Sequence, residues 1–112
     1  MSSSQLADAE GKAERRRASR FRCDLGIAIE WGAASLRGSV VDISIDGMFV
    51  ELDQPLWIGA RFAAQLEFEE PVRLECVVRR VQPLRGMAVT YAVPDEAGRA
   101  VIASYLERLR QP

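Results

Sequence analysis

Two groups of residues in this chain have the types and spacing to hold a charged ligand. The first is Arg16-x-x-x-Arg20, set within Glu14-Arg-Arg-Arg-Ala-Ser-Arg20, so that Arg15 and Arg17 flank Arg16. A guanidinium is planar and always charged, and its fork donates two parallel hydrogen bonds. That geometry suits a phosphate or the O6/N7 edge of guanine. A basic arm whose charges are merely solvated would look the same. The second group is Asp42-Ile-Ser-Ile-Asp-Gly47. Asp42 and Ser44 are two apart, which in a strand puts both side chains on one face. A carboxylate and a hydroxyl there can hydrogen-bond a base edge or a ribose, and Gly47 would let a ligand approach the backbone closely. The structural alternative is a strand entering a hairpin, with Ser44 satisfying local backbone and Gly47 in a left-handed conformation. Arg79 and Arg80 are further basic candidates, or else exposed strand charges.

Other chemistries are poorly served. Histidine is absent, which removes His-dependent triads and His metal ligands. Ser44 therefore has no imidazole to activate it, and the one lysine, Lys12, lies far from the strands described below. Glu69-Glu70 precedes Pro71 and has the character of a solvated turn. An enzyme is not expected. Cys23 and Cys76 lie about fifty residues apart with no C-x-x-C spacing, which suits two small apolar residues in a reduced protein better than a disulfide or a metal site. Net charge is −1 overall, yet the segment through Arg22 is +3 and the remainder −4. Such a balance argues against a general nucleic-acid coat and for one anionic partner at the arginine cluster.

The 112 residues suffice for one domain and one core. No stretch approaches 18 consecutive apolar residues, and the N-terminus lacks the apolar run of a secretory signal, so no membrane span and a cytoplasmic location are expected. Residues 1–13 are expected to form a flexible polar N-terminal arm, with a nascent helix expected around Leu6–Arg17. Residues 14–112 form the domain proper. From Phe21 the apolar period is two. Ile27, Ile29 and Trp31 define a first strand ending at Gly32, Leu36–Ser44 a second and Met48–Leu52 a third. Asp46-Gly47 between the last two is the signal for a type I′ hairpin, whose two central residues need φ > 0. Phe62, Ala64, Leu66 and Phe68 alternate with polar residues as far as Glu69. Val72, Leu74, Cys76 and Val78 alternate as far as Arg79, and Met87, Val89, Tyr91 and Val93 follow the Pro83–Gly86 turn. Six short strands with one apolar face each predict an antiparallel β-barrel, because closure removes exposed edges, and the connections are too short for parallel crossovers. After Pro94 the period changes. Asp95 is placed as an N-cap, and Val101, Ile102, Tyr105, Leu106 and Leu109 share one face of a C-terminal α-helix from about 95 to 110. This helix covers one mouth or side of the barrel, or its stripe pairs with a second copy.

An R-x-x-x-R segment before the first strand, followed by D-x-S-x-x-G across the second and third strands, resembles the PilZ domain family. Gly86-Met-Ala-Val-Thr-Tyr91 is also similar, and the resemblance covers roughly residues 13–110. It implies a six-stranded β-barrel with a C-terminal helix that serves as a bacterial receptor for cyclic di-GMP. It implies that Arg16 and Arg20 grip phosphate and guanine, and that Asp42, Ser44 and Gly47 contact the other side of the ligand. On this reading the chain is a stand-alone receptor and adaptor, a monomer or weak homodimer. It orders its arginine arm over the ligand and relays the signal to a protein effector that the sequence does not identify. Arg15 supplies an extra planar cation, and two ligands per protomer are expected. No metal and no cofactor beyond the ligand are implied. The alternative, a small barrel that binds single-stranded nucleic acid, needs a basic groove lined with exposed aromatics, and only Trp31, Phe49 and Trp57 are available.

Overall fold

The computed structural model describes residues 19–111. The expectations for the arm at residues 1–13 and for Arg15 and Arg16 fall outside that range. Within it, alternation of apolar and polar side chains builds six strands: β1 (Phe21–Trp31), β2 (Ala34–Ile43), β3 (Gly47–Glu51), β4 (Arg61–Leu66), β5 (Val72–Gln82) and β6 (Gly86–Ala92). In β5, Val72, Leu74, Cys76 and Val78 are buried while Arg73 and Glu75 face solvent, the period-two pattern of a wall with one wet side. The strands close in the order β1-β2-β3-β6-β5-β4, and every neighbouring pair is antiparallel. Closure leaves no edge strand exposed.

Inside the barrel Ile27, Ile29, Val40, Ile43, Met48, Val50, Leu66, Leu74, Val78 and Met87 are fully buried. Truncating one of these to alanine would cost about 2–5 kcal/mol, because the lost transfer energy is compounded by a cavity. The helix α1 (Glu96–Arg110) buries Gly98, Ile102 and Leu106 and half-buries Val101, Tyr105 and Leu109, the stripe seen in the sequence. It packs on β1 and β5, with Tyr105 edge-on to Phe68 at 5.0 Å between ring centres. Antiparallel order fixes the two ends of the barrel. The β1–β2 turn, the β3–β4 loop and the β5–β6 turn share one end. The β2–β3 turn, the start of β1 and the β4–β5 turn share the other.

Four details differ from the sequence reading. β2 starts at Ala34, because Gly32 takes φ 57° and closes a tight Gly32-Ala33 turn. β4 stops at Leu66, where the chain folds back so that Phe68 N–H donates to the Leu66 carbonyl at 3.0 Å. β5 runs on to Gln82 through a bulge between Val78 and Arg80. Asp95 does occupy the N-cap position with extended backbone, but its side chain makes no capping bond. The Arg99 guanidinium instead reaches back to the Val93 and Pro94 carbonyls at 2.8 and 3.3 Å.

Candidate functional site

The site begins where the chain enters the barrel. Arg20 immediately precedes β1, and Asp42 sits near the end of β2 opposite Arg22. Both strands are irregular here, with shifts of register between Arg22 and Leu25 and between Val40 and Asp42. Bulges bend a strand and re-aim its side chains. Across this distortion Arg20 donates to Asp42 Oδ1 twice, from Nε at 3.1 Å and from Nη2 at 2.5 Å. The two side chains are 49% and 32% exposed, so the pair adds little to stability. It does fix the end of the arginine segment against the first residue of the D-x-S-x-x-G turn.

The turn itself is built differently from the expected one. Neither Asp46 nor Gly47 has positive φ, which overturns the type I′ hairpin and the left-handed Gly47. Gly47 is already the first residue of β3, paired with Thr90, and the bend lies one position earlier, at Ile45-Asp46. Glycine is required at 47 for room. A Cβ there would stand 3.2 Å from the Val89 carbonyl oxygen, which the β-ladder holds in place.

Ser44 also departs from the face-sharing reading. Asp42 is partly exposed, whereas Ser44 is 1% exposed and its hydroxyl is committed to the turn. Ser44 Oγ accepts from Gly47 N–H at 3.1 Å and has Asp46 Oδ1 and the Gly47 carbonyl as acceptors at 3.1 and 3.2 Å. Its own N–H donates to the Gly47 carbonyl at 2.8 Å. The structural alternative therefore describes Ser44 best: the residue shapes the turn, and Ile45 and Asp46 are the exposed part. Beside Ile45, which is 60% exposed, lies a groove of about 280 Å³ bordered by Tyr91, Val93, Arg99 and Ile102.

The β-ladder brings in two more arginines. Asp42 pairs with Phe49, Phe49 with Ala88 and Ala88 with Arg80, one continuous row across β2, β3, β6 and β5. The bulge in β5 leaves both Arg79 and Arg80 exposed. Arg79 Nε donates to Thr90 Oγ1 at 3.0 Å, and Thr90 is the cross-strand neighbour of Gly47. The Arg79 side chain thus reaches over β6 to the residue that pairs with Gly47. Arg20, Asp42, Gly47 and Arg79 are brought to one region of the wall, while Arg15 and Arg16 lie outside the described residues.

Sequence reasoning missed Tyr91. Its hydroxyl donates to the Ser44 carbonyl at 2.5 Å, and its N–H donates to the Asp46 carbonyl at 3.2 Å. Burial, with the Asp46 carboxylate and Cys76 adding to it, raises the phenol well above its ordinary range, so the O–H remains a donor. The signal was present. A tyrosine in an inward alternation carries a hydroxyl that must find a partner. Of the aromatics weighed for nucleic-acid stacking, Phe49 is buried beneath Arg85, and the exposed Trp57 lies at the far end of the barrel. The thiols are free, and burial pushes Cys76 up to about 12. Among the described residues no cluster of acidic or cysteine side chains is arranged to hold a metal. No described helix is long and apolar enough to cross a membrane.

A family model for the PilZ domain matches residues 14–108. The structure is similar to that of the Bacillus subtilis inhibitor of motility MotI/DgrA, with a TM-score of 0.72 at 22% identity over 84% of this chain. The match spans 50% of the Bacillus protein, so this chain corresponds to about half of it. The PilZ domain of CeSA from a cellulose-synthesizing bacterium gives 0.63 at 14% identity, covering 84% of this chain and all of that one. The PilZ domain of YcgR from Escherichia coli, solved with c-di-GMP, gives 0.67 at 14% identity, covering 86% and 92%. A search of curated proteins returned no match.

Proposed function

The chain belongs to the PilZ domain family, and from that membership we propose that it is a receptor for cyclic di-GMP. The ligand is held between the Arg16-x-x-x-Arg20 segment and the β2–β3 turn. The observation that carries the reading is the contact between Arg20 and Asp42, which joins the last residue of one motif to the first of the other. YcgR, similar in fold, was solved with this dinucleotide.

The chemistry is consistent. Cyclic di-GMP carries two phosphate charges and two guanines. Each guanine offers acceptors to arginine on its O6/N7 edge and donors to a carboxylate on its other edge. Asp42 can accept from that donor edge while Arg20 turns to the phosphate or the O6/N7 edge, so the existing ion pair is the ligand-free partner of each group. Arg79, reaching over Thr90 of β6, adds positive charge beside the turn. Ordering the arginine segment over the ligand opposes binding by a few kcal/mol. Several charge-assisted hydrogen bonds, about 1.5–3 kcal/mol each, exceed that. The segment's changed position then presents a new surface to a protein effector.

Hydrogen exchange with and without cyclic di-GMP tests this reading. Protection is expected to rise in residues 13–20 and across Asp42–Gly47. Identical exchange in both regions under saturating dinucleotide would contradict it.

A further inference from the structure

We propose that Tyr91 is a positioning residue for the ligand site, its hydroxyl setting the β2–β3 turn in its binding shape before ligand arrives. The inference rests on the reading of the turn as part of a cyclic di-GMP site.

A two-residue antiparallel turn ordinarily closes with a reciprocal pair of backbone bonds between its flanking residues. Here only one of the two is made. Ser44 N–H donates to the Gly47 carbonyl at 2.8 Å, whereas Gly47 N–H goes to the Ser44 hydroxyl at 3.1 Å. The Ser44 carbonyl is thereby turned away from its usual donor in a residue that is almost wholly buried. A buried carbonyl without a partner strongly disfavours the conformation that creates it. Tyr91, 47 residues later, supplies that partner through its hydroxyl at 2.5 Å. Its N–H donates to the Asp46 carbonyl at 3.2 Å, so one residue of β6 holds two carbonyls of the loop, those on either side of Ile45.

The consequence is a preset turn. Ser44 supplies the side chain that captures Gly47 N–H, and Tyr91 stabilises the carbonyl orientation that this capture demands. With both in place Asp42, Ile45 and Asp46 are presented in one arrangement. Without the phenol the Ser44 carbonyl regains its ordinary bond to Gly47 N–H, and the turn spreads over several conformers. Ligand affinity then falls by the fraction of molecules in the binding shape. Phenylalanine would fill the same space in the wall, so the hydroxyl is the feature that packing alone does not explain.

The test uses the full chain as parent, Tyr91→Phe, Ser44→Ala and the double variant. Calorimetry measures cyclic di-GMP affinity, and amide spectra are recorded without ligand. Tyr91→Phe is expected to remain folded, to bind about tenfold more weakly, and to shift or broaden the Ile45, Asp46 and Gly47 amide signals. Ser44→Ala should cost less affinity in the Tyr91→Phe background than in the parent, because the turn is already released. Tyr91→Phe with parent-like affinity and unchanged turn amides would overturn the proposal, as would fully additive losses. If the parent binds no cyclic di-GMP, the receptor reading fails, and the ligand-free spectra alone decide whether Tyr91 sets the turn. Should Tyr91→Phe not fold, the parent's Tyr91 hydroxyl proton decides. A slowly exchanging resonance close to the Ile45 amide supports the proposal, and its absence contradicts it.

Discussion

Arg20 Nε and Nη2 both converge on a single oxygen of Asp42, 22 positions later in the chain. Two bonds on one oxygen are a looser grip than a fork on two, since the second carboxylate oxygen takes no part in the pair. The pair is partly exposed, so breaking it costs little free energy and each group can exchange its partner for a ligand. Asp42→Ala is accordingly expected to weaken cyclic di-GMP binding by about tenfold or more while shifting Tm by less than about 3 °C. Calorimetry and thermal unfolding on the same preparation check this. A large fall in Tm would assign Asp42 to the fold instead of the site.

Gly47→Val should be damaging for a reason of space. Its Cβ would press on the Val89 carbonyl, which is fixed in the pairing of β3 with β6. Overpacking of this kind costs about 1–3 kcal/mol, so a fall in Tm of roughly 5–15 °C is expected, together with weaker ligand binding. Alanine adds the same Cβ without valine's two γ-methyls, and φ is ordinary at this position, so Gly47→Ala should lose less than Gly47→Val. Equal losses in the two variants would mean that the Cβ alone, and not the branched bulk, is what the position rejects.

The architecture was largely legible in the sequence because barrel strands write their two faces into alternate residues. Ile27, Ile29 and Val89, for example, were placed inside on period alone. The β2–β3 turn was not, although Asp46-Gly47 is a strong local signal. A buried hydroxyl at Ser44 and a phenol from β6 outweigh the intrinsic preference of that dipeptide, and neither contact is visible within a local window. The bulge that exposes both Arg79 and Arg80 is equally silent, because one extra residue leaves the composition of β5 unchanged. Of the candidate site, the two motifs could be read directly, whereas their meeting through Arg20 and Asp42 depends on the irregular register of β1 against β2.

Arg79 is expected to act through charge at the ligand face. It is exposed and bonded only to Thr90 among the described residues, so Arg79→Ala should leave Tm nearly unchanged. Affinity should fall by about three- to tenfold at low salt, with a smaller difference at high salt as the field is screened. Titrations at two ionic strengths decide the matter. A loss independent of salt would indicate a shape effect on β5.

Stoichiometry bears on Arg15. One cyclic di-GMP brings two negative charges and a stacked pair four, more than Arg16 and Arg20 alone neutralise. Arg15 offers a further cation whose planar group can lie over a guanine. The parent is expected to take two ligands per protomer, and Arg15→Leu to shift calorimetric saturation towards one while retaining binding. Saturation of the parent at one ligand would refute the two-ligand expectation, and an Arg15→Leu variant that still takes two would remove Arg15 as its cause.

The central claim is that this barrel recognises cyclic di-GMP through the joined arginine and D-x-S-x-x-G motifs. Its most direct test is calorimetric titration of the parent and of Arg20→Ala with cyclic di-GMP, GMP and cyclic di-AMP. The account predicts saturable binding of cyclic di-GMP to the parent, no comparable binding of GMP or cyclic di-AMP, and loss of binding in a folded Arg20→Ala. Equal affinity of parent and Arg20→Ala for cyclic di-GMP, or no binding by the parent at all, would contradict it.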